Sequence, residues 1–359
     1  MTQLDTLPFS YFKEILPALF GGFPGASKTP SAHELAKLIL PPDQIADTKT
    51  YVRLRSGIAE LLSNLNLQNK RVIFPSFACH SVTKAAEKIG ARITRLPYPL
   101  TAAKLKKIDL SKVSAVFVVH AFGIPADGQK SNMEEIAKLC REHKIILIED
   151  CAHSLDYPQV GAWGDYALFH FTKRLANLHG GLVISKKKKL KNDPQANSRF
   201  PIKDFIRLIL QTATLRLTLN FVRKRQGLHT ETSAAHQIPK SGYKSTHPFA
   251  RRLFKIELKR HQQESKIREN LRKKYLEKLP SNWTPLCKDH KVDTLQFPVV
   301  TPKNLCRDKT LLKLRKRGIM ANRIWYNTDD PIAKKILVLP LHASMTKKDV
   351  EKICQSLPE

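Results

Sequence analysis

The sequence is short of acidic residues. It contains 31 Asp and Glu against 62 Lys and Arg, so the formal net charge is +31 over 359 residues. Because the positive charge is spread along the chain, it predicts an anionic substrate or partner, which can be nucleic acid, an acidic membrane surface or a small phosphorylated metabolite. A chain of this length is expected to bury a sizeable core, which excludes disorder over most of it.

The cysteines are few, and no two of them are close in sequence. The six are Cys79, Cys140, Cys151, Cys287, Cys306 and Cys354. The lack of any CxxC pair excludes a typical zinc site and a disulfide framework, so we expect no metal and a reducing, cytoplasmic location.

Long apolar runs are also absent, and none reaches the length of a membrane-spanning helix. The N-terminal stretch carries Asp5 and Pro8 where a signal peptide would carry positive charge. We therefore expect neither a targeting segment nor a transmembrane helix.

Between residues 50 and 185, short β-branched or aromatic runs alternate with helical patterns. The runs are RVIFPSF, ARITRLPY, VSAVFVVHAFG, KIILIED, DYALFHF and GLVIS. This alternation predicts an α/β domain whose sheet lies between layers of helices. Ligands bind at the carboxyl ends of the strands in such sheets, and Asp150 and His120 each lie at the end of a predicted strand.

Three regions are predicted along the chain. Residues 1–50 form an N-terminal arm and helices, residues 51–246 a large domain with a basic insertion near 186–246, and residues 247–359 a long helix and a small domain. Within the insertion, SKKKKLKN is interpreted as a solvated loop. For DFIRLILQTATLRLTLNFVRKR, dimer or domain packing is the favoured interpretation, and a helix lying on a membrane interface is the alternative.

The stretch LIEDCAHSLDYPQVGAWGDYALFHFTKRLANLHGG combines a strand-end aspartate with a lysine. This pair suggests a site where the lysine amine holds an aldehyde cofactor such as pyridoxal phosphate. That cofactor needs an ionised carboxylate at its ring nitrogen and backbone N–H groups at its phosphate. Asp150 offers the first, and the Ser-Gly start of a helix in RSGIAELLSNL offers the second. Taken alone, Lys173 is better explained as a surface lysine, and for Asp150 a carboxylate that caps a turn is the alternative.

Several motifs, in order, resemble the DegT/DnrJ/EryC1/StrS family of sugar aminotransferases, which are pyridoxal-phosphate enzymes of fold type I. RSGIAEL resembles the family's phosphate turn, VVHAFGIPAD its His-x-Phe/Tyr-Gly-x-Pro-x-Asp signature, and IEDCAHS its Glu-Asp-x-Ala-Gln/His motif. VGAWGDYALFHFTKRLANLHGG resembles the strand leading to the Schiff-base lysine, and LPLHASMTKKDVEKI the closing segment. The resemblance begins near residue 50. It implies a three-layer α/β/α large domain with a mainly parallel sheet, plus a small C-terminal α+β domain.

The resemblance also implies roles for residues around the cofactor ring. Lys173 would bind the cofactor covalently and then move protons, Asp150 would hold the pyridinium, and His153 would bond to the phenolic oxygen. Family members usually stack an aromatic residue on the ring at the position of Cys79. Either Cys79 packs there or the neighbouring His80 takes over.

The cofactor phosphate would be bound by the turn formed by Ser56, Gly57 and Ile58. The family usually has a serine where this chain has His170, and an acidic residue where it has His179. A protonated His170 would bind the phosphate, which predicts that cofactor affinity falls as pH rises through the pKa of this histidine. These departures indicate a divergent member, and altered cofactor geometry or lost activity stays open as an alternative.

The implied reaction is amino transfer from an amino acid, by family usually glutamate, to a keto-sugar carried on a nucleotide, for cell-surface polysaccharide or glycan synthesis. Family dehydratases replace the lysine by histidine, so Lys173 favours transamination. The alternative from another class is a degenerate member that acts as a basic scaffold for nucleic acid or a membrane surface, although no nucleic-acid-binding signature is present. The family implies a homodimer, and the distributed charge predicts weak, salt-sensitive adsorption to anionic membranes.

Overall fold

A seven-stranded sheet forms the centre of the large domain in this computed structural model, which describes residues 12–20, 28–125, 130–155, 160–197, 199–213, 243–325 and 328–359. The strands are β1 (Asp47–Tyr51), β2 (Arg71–Pro75), β3 (Arg92–Leu96), β4 (Val113–Val119), β5 (Ile146–Asp150), β6 (Tyr166–His170) and β7 (Gly181–Ser185). Their spatial order is β1-β7-β6-β5-β4-β2-β3. Strands β3, β2, β4, β5 and β6 run parallel, whereas β7 is antiparallel to both β6 and β1. The prediction of a mainly parallel sheet is confirmed.

Helices cover both faces of this sheet. They are α1 (Phe12–Leu19), α2 (Ala32–Ala36), α3 (Leu54–Asn64), α4 (His80–Lys88), α5 (Ala102–Leu105), α6 (Lys130–Glu142), α7 (Phe171–Arg174) and α8 (Ile202–Ala213). Successive side chains of a strand point to opposite faces, so Phe74 packs in the cluster that contains α3 and α4, while Ile73 packs in the cluster that contains α6. Because both faces are buried there, strands β2 and β4 to β7 are rich in β-branched and aromatic residues.

Strand β1 was not predicted, and the boundary proposed at residue 50 falls inside it. Its sequence, DTKTY, is polar, yet it pairs antiparallel with β7 from Asp47 opposite Ser185 to Tyr51 opposite Gly181. The side chain of Lys49 is buried, and its Nζ donates hydrogen bonds to the backbone carbonyls of residues 190–192, at 2.6–3.0 Å. These hydrogen bonds offset the cost of burying a charged lysine, which would otherwise be expected on the surface.

The C-terminal domain is a three-stranded antiparallel sheet packed on helices. Its elements are α9 (Pro248–Gln263), α10 (Ser265–Lys278), β8 (Thr284–Pro285), β9 (Phe297–Val300), α11 (Arg307–Lys316), β10 (Ile336–Leu339) and α12 (Lys347–Gln355), with strand order β10-β9-β8. The predicted long helix is two helices that meet at Glu264. The break lets Phe254 of α9 pack on the large domain while Tyr275 of α10 packs in the core of the small one.

The basic insertion is only partly solvated. Lys187, Lys188 and Lys189 are exposed, as predicted for SKKKKLKN, but Lys186 is largely buried and its Nζ lies 3.9 Å from Glu149 Oε1. Of DFIRLILQTATLRLTLNFVRKR, the part within α8 is helical and residues 214–225 lie outside the described residues. No helix in the described ranges is long and apolar enough to cross a bilayer.

One buried carboxylate, Asp293, joins the two domains. It forms ion pairs with Arg174 of α7 and with Arg268 and Arg272 of α10, and the Arg268 Nη2 to Asp293 Oδ2 distance is 2.6 Å. Burial by itself would raise the pKa of Asp293, but Arg174, Arg268 and a hydrogen bond with His261 hold it well below its usual range. The small domain is therefore tied to the short helix that also carries Lys173.

Replacing Asp293 with asparagine is expected to destabilise the protein strongly. Three guanidinium groups would lose their shared anion in a buried position, which typically costs about 3–5 kcal/mol. Urea unfolding at neutral pH measures the effect. Because the folded pKa is depressed, the contribution of Asp293 is complete above its unfolded pKa and is lost as pH falls towards the folded one.

The matched control is Glu351→Gln, which removes an exposed carboxylate paired with Lys274 and should leave the unfolding midpoint near that of the wild type. Equal midpoints for Asp293→Asn and Glu351→Gln would contradict the importance given to the buried cluster.

Candidate active site

A cavity of about 430 Å³ opens at the carboxyl ends of the parallel strands. Asp150 reaches it from the end of β5 and His170 from the end of β6, and α7 places Lys173 on its wall. Six of the nine residues proposed from the sequence line the cavity: Ile58, Cys79, Asp150, His153, His170 and Lys173. The cavity therefore lies where the strand-end rule places ligands.

Asp150 is the buried acidic group of the cavity. Its side chain accepts a hydrogen bond from the Ala152 N–H at 3.0 Å, and the residue is only 4% exposed. Burial raises the pKa of Asp150, while the Ala152 N–H, His120 and Lys173 act in the opposite direction. A carboxylate whose pKa is raised by burial is stabilised in its charged form by a cationic group bound next to it in the cavity.

His153 is held as a neutral ring. Its Nδ1 accepts a hydrogen bond from the Phe122 N–H at 3.1 Å, which leaves the proton on Nε2. Burial, followed by the charge of Lys173, lowers the pKa of His153 well below its usual value. The ring also stacks on Trp325, with centroids 4.8 Å apart. His153 can therefore donate one hydrogen bond from Nε2 but carries no charge.

The predicted phosphate turn lies in the first turn of helix α3. Helix α3 begins at Leu54, so Ser56 and Gly57 are its third and fourth residues, and neither is among the described residues that line the cavity. The lack of a Cβ at Gly57 serves packing, because a Cβ there would lie 2.6 Å from the ring of Tyr51 and 2.8 Å from Val183. Phosphate binding by Ser56 and Gly57 therefore stays a prediction.

Three arginine side chains line the cavity. Arg53 and Arg55, around the start of α3, line it together with Arg207 of α8. Burial, followed by the charge of Arg53, lowers the pKa of Arg55. These arginines were not predicted from the sequence, although Arg55 opens the RSG motif and Arg53 lies two residues before it, because one basic residue among 62 carries no signal by itself.

His170 is neutral, contrary to the prediction of a protonated ring. Its Nδ1 accepts a hydrogen bond from the Thr172 N–H at 3.1 Å, which requires an unprotonated nitrogen. Burial, then the charges of Lys173 and Arg55, lower the pKa of His170 to about 3. His179 also lines the cavity, and burial lowers its pKa to about 4.

Trp325 is the only Phe, Tyr or Trp residue among the described residues that line the cavity. Cys79 lines the cavity just before α4, whereas His80 is not among the described lining residues. Trp325 lies far away in the sequence, in NRIWYN, and no local pattern connects it to Asp150 or Lys173. It could be found only from the fold.

His120 has a structural role and is not among the described residues that line the cavity. It is buried, and its Nε2 lies 3.0 Å from Glu149 Oε2. His120, Glu149 and Cys151 are close enough together to hold a metal ion. The Glu149 oxygens, however, already accept hydrogen bonds from the N–H groups of Gly161, Trp163 and Gly164, which explains the cluster without a metal.

Two curated proteins similar to this chain are named for nucleotide-linked sugars. A GDP-perosamine synthase of Vibrio cholerae is 29% identical over 129 residues, which are 33% of this chain and 34% of that protein. A UDP-N-acetyl-3-dehydro-alpha-D-glucosamine 3-aminotransferase of Acidithiobacillus ferrooxidans is 30% identical over 126 residues, 32% of this chain and 33% of the relative. The chain thus matches about a third of the length of these relatives.

The fold is shared with solved structures over nearly the whole chain. The Spr1654 protein of Streptococcus pneumoniae, in its PLP form, superposes with a TM-score of 0.71 at 17% identity, covering 99% of this chain and 97% of that one. At this identity the likeness shows the fold alone. The model of the DegT/DnrJ/EryC1/StrS aminotransferase family matches residues 56–358, which is most of the sequence, and the chain therefore belongs to that family.

Proposed function

We propose that the protein is a pyridoxal-phosphate-dependent aminotransferase that moves an amino group from an amino acid, glutamate by family usage, to a nucleotide-linked keto-sugar. The observation that carries this proposal is the placement of the Lys173 amine and the buried Asp150 carboxylate on one cavity at the strand ends. Membership of the aminotransferase family and the names of the two curated relatives support it.

The residues of the cavity fit this cofactor. The raised pKa of Asp150 reflects a buried carboxylate that a pyridinium nitrogen would stabilise in its charged form. His153 offers an Nε2–H for the phenolic oxygen, and Lys173 offers an amine for the aldehyde. When bound, the cofactor supplies a ring that withdraws electrons from the carbon next to the transferred nitrogen.

The chain's own groups would then hold and move protons. Lys173 Nζ takes the proton from the α-carbon of the amino-acid donor and later delivers one to the sugar carbon that receives nitrogen. Asp150 keeps the ring nitrogen protonated throughout. His153 holds the ring orientation through Nε2–H without adding charge.

The cationic end of the cavity suits the anionic parts of cofactor and substrate. Arg53, Arg55 and Arg207 line it, and Arg207 is partly neutralised by Asp204, 3.1 Å away. His170 would contribute a neutral hydrogen-bond donor to the phosphate, and the first residues of α3, which include Arg55, would contribute the positive end of the helix dipole. A phosphorylated, nucleotide-linked sugar matches this charge better than a neutral one.

The other functions considered from the sequence are less well supported. A sugar dehydratase of this family would lack the lysine that lines the cavity here. A basic scaffold would have no need for a buried carboxylate opposite a lysine.

We also propose that the protein is a homodimer in the cytoplasm. The homodimer follows from the family, and the polar loop before Phe249 that would complete the partner's site lies largely outside the described residues. The location is supported by Cys306, which is exposed and unpaired.

Lys173→Ala should abolish covalent retention of the cofactor. After incubation with pyridoxal phosphate and reduction with borohydride, peptide mass spectrometry of the wild type is expected to find the cofactor on Lys173 and to find none in the variant. Lys187→Ala, which changes an exposed lysine paired with Asp165, is the control and should retain the label. A label on another lysine in the wild type would refute the assignment.

Asp150→Asn separates attachment from chemistry in the same assay. The variant should keep the borohydride label, because Lys173 is intact, but lose at least about a hundredfold in transamination rate, since an amide cannot stabilise a protonated ring nitrogen.

Because His170 is neutral, it should add no pH dependence to the binding of pyridoxal phosphate. Between about pH 6 and about pH 8, the affinity for pyridoxal phosphate should change equally for the wild type and His170→Gln, since a group with a pKa of about 3 does not titrate in that range. His170→Ala should weaken binding by about two- to tenfold at every pH, the cost of one neutral hydrogen bond. An extra pH slope in the wild type that His170→Gln removes would show that the ring is protonated.

Sedimentation equilibrium tests the homodimer. The mass of the cofactor-loaded protein is expected to be twice that of the 40.8 kDa chain. A fully active species with the mass of one chain would rule out a site completed by a second subunit.

A further inference from the structure

His179 is a buried side chain of the cavity that the proposed reaction leaves without a role. It lies just before β7, is only 9% exposed, and lines the cavity together with Arg53, Asp204 and Arg207. Its Nε2 accepts a hydrogen bond from the His247 N–H at 3.4 Å, so the proton of the neutral ring is on Nδ1. Nδ1 has no hydrogen-bond partner among the described residues. A buried donor of this kind is costly unless a ligand supplies the acceptor.

The strand pairing places Arg53 beside this histidine. Tyr51 of β1 lies opposite Gly181 of β7 in an antiparallel pair. Arg53 follows Tyr51 by two residues and His179 precedes Gly181 by two, so both reach the cavity at the same edge of the sheet. Burial lowers the pKa of His179 most, and the positive charge of Arg53 lowers it further, as expected for neighbouring groups.

Arg207 adds a second guanidinium group from α8. It pairs with Asp204, one turn earlier in the same helix, at 3.1 Å, and the two side chains are 58 and 42% exposed. An ion pair with this exposure contributes little free energy. Arg207 can therefore exchange the carboxylate of Asp204 for an anion bound in the cavity.

A different arginine lies beside the residue proposed for the cofactor phosphate. His170 is at the end of β6. Burial and Lys173 lower its pKa, and Arg55 is the arginine that lowers it further. The arginines of the cavity therefore divide into two places, with Arg55 beside His170 and Arg53 beside His179. A cavity of about 430 Å³ has room for a second anionic group beside the first.

We propose that His179, Arg53 and Arg207 form a second anion subsite, which binds a phosphate or carboxylate group of a substrate while the cofactor phosphate is bound elsewhere in the cavity. The Nδ1–H group would donate one hydrogen bond, and the two guanidinium groups would donate charge-assisted ones. The diphosphate of a nucleotide-linked sugar and a carboxylate of the amino donor share this chemistry. The inference rests on the proposed function, since that reaction brings both anions to the cavity.

Isothermal titration calorimetry of the borohydride-labelled protein tests the subsite. In this form the cofactor is already bound and no amino transfer can occur. The probes are inorganic pyrophosphate for the diphosphate and glutarate, which lacks an amine, for the carboxylate. His179→Phe should weaken binding of at least one probe about tenfold, because a hydrogen bond to a charged group is lost. His179→Asn should keep most of the affinity, since its amide N–H can take the place of Nδ1–H.

Two substitutions on α8 make the test independent of the buried ring. Arg207→Gln should weaken the same probe about fivefold, whereas Asp204→Asn should tighten it about two- to fivefold, because the carboxylate no longer competes for Arg207. Arg95→Gln is the matched control, since Arg95 is also a partly exposed arginine and pairs with Glu87 at 3.4 Å. This variant should bind both probes as the wild type does.

The two probes distinguish the sources of the anion. Weakened binding of pyrophosphate alone would assign the subsite to the diphosphate, and weakened binding of glutarate alone would assign it to the donor carboxylate. Three results would overturn the proposal. In the first, His179→Phe and Arg207→Gln bind both probes like the wild type. In the second, Arg95→Gln weakens binding as much as Arg207→Gln, which would mean diffuse charge attraction. In the third, only the unlabelled protein binds the probes, which would place the cofactor phosphate at these groups.

The subsite and the proposed function fail separately. If Lys173 takes up no label, but the unlabelled protein binds a probe and His179→Phe loses that binding, the proposed function fails and the subsite stands. If Lys173 is labelled and the labelled protein binds neither probe, the subsite fails and the proposed function stands.

Discussion

The ion cluster around Asp293 determines how the two domains meet at the active site. The carboxylate binds Arg174, which directly follows Lys173 in α7, and two arginines of α10, which belongs to the small domain. Buried guanidinium groups are tolerated only with such a partner. The same group of contacts therefore sets the position of α7 and the orientation of the small domain. It also sets the side of the cavity on which Lys173 lies.

The cavity wall carries charges of both signs. Asp150 at the end of β5 supplies negative charge, Arg53, Arg55 and Arg207 supply positive charge, Asp204 pairs with Arg207, and His153 and His170 are neutral. Neutral imidazoles can donate or accept hydrogen bonds without competing with the arginines for anions or with Lys173 for Asp150. A cofactor with a cationic ring nitrogen and an anionic phosphate fits these charges. Asp150 would meet the ring nitrogen and Arg55 the phosphate, while His153 and His170 would form neutral hydrogen bonds to the cofactor.

Much of the fold could be predicted from local pattern, and the remainder could not. Buried parallel strands require apolar β-branched and aromatic runs, which made β2 to β7 visible, and the strand-end rule then located Asp150. Strand β1 was missed because Lys49 is satisfied by carbonyls contributed by a distant loop. Trp325 and Asp293 were missed for a related reason, since their partners are far away in sequence. The protonation of His170 depends on burial and on Thr172, which no motif specifies.

The proposed function depends centrally on a cofactor that Lys173 holds and that accepts the amino group of a donor. The most direct test is the absorbance spectrum of the protein after loading with pyridoxal phosphate and removal of the excess, recorded before and after addition of glutamate. We predict a protein-bound visible band that disappears with glutamate and returns when a keto acid is added. A spectrum identical to that of the free cofactor, or a bound band that no amino acid changes, would contradict it.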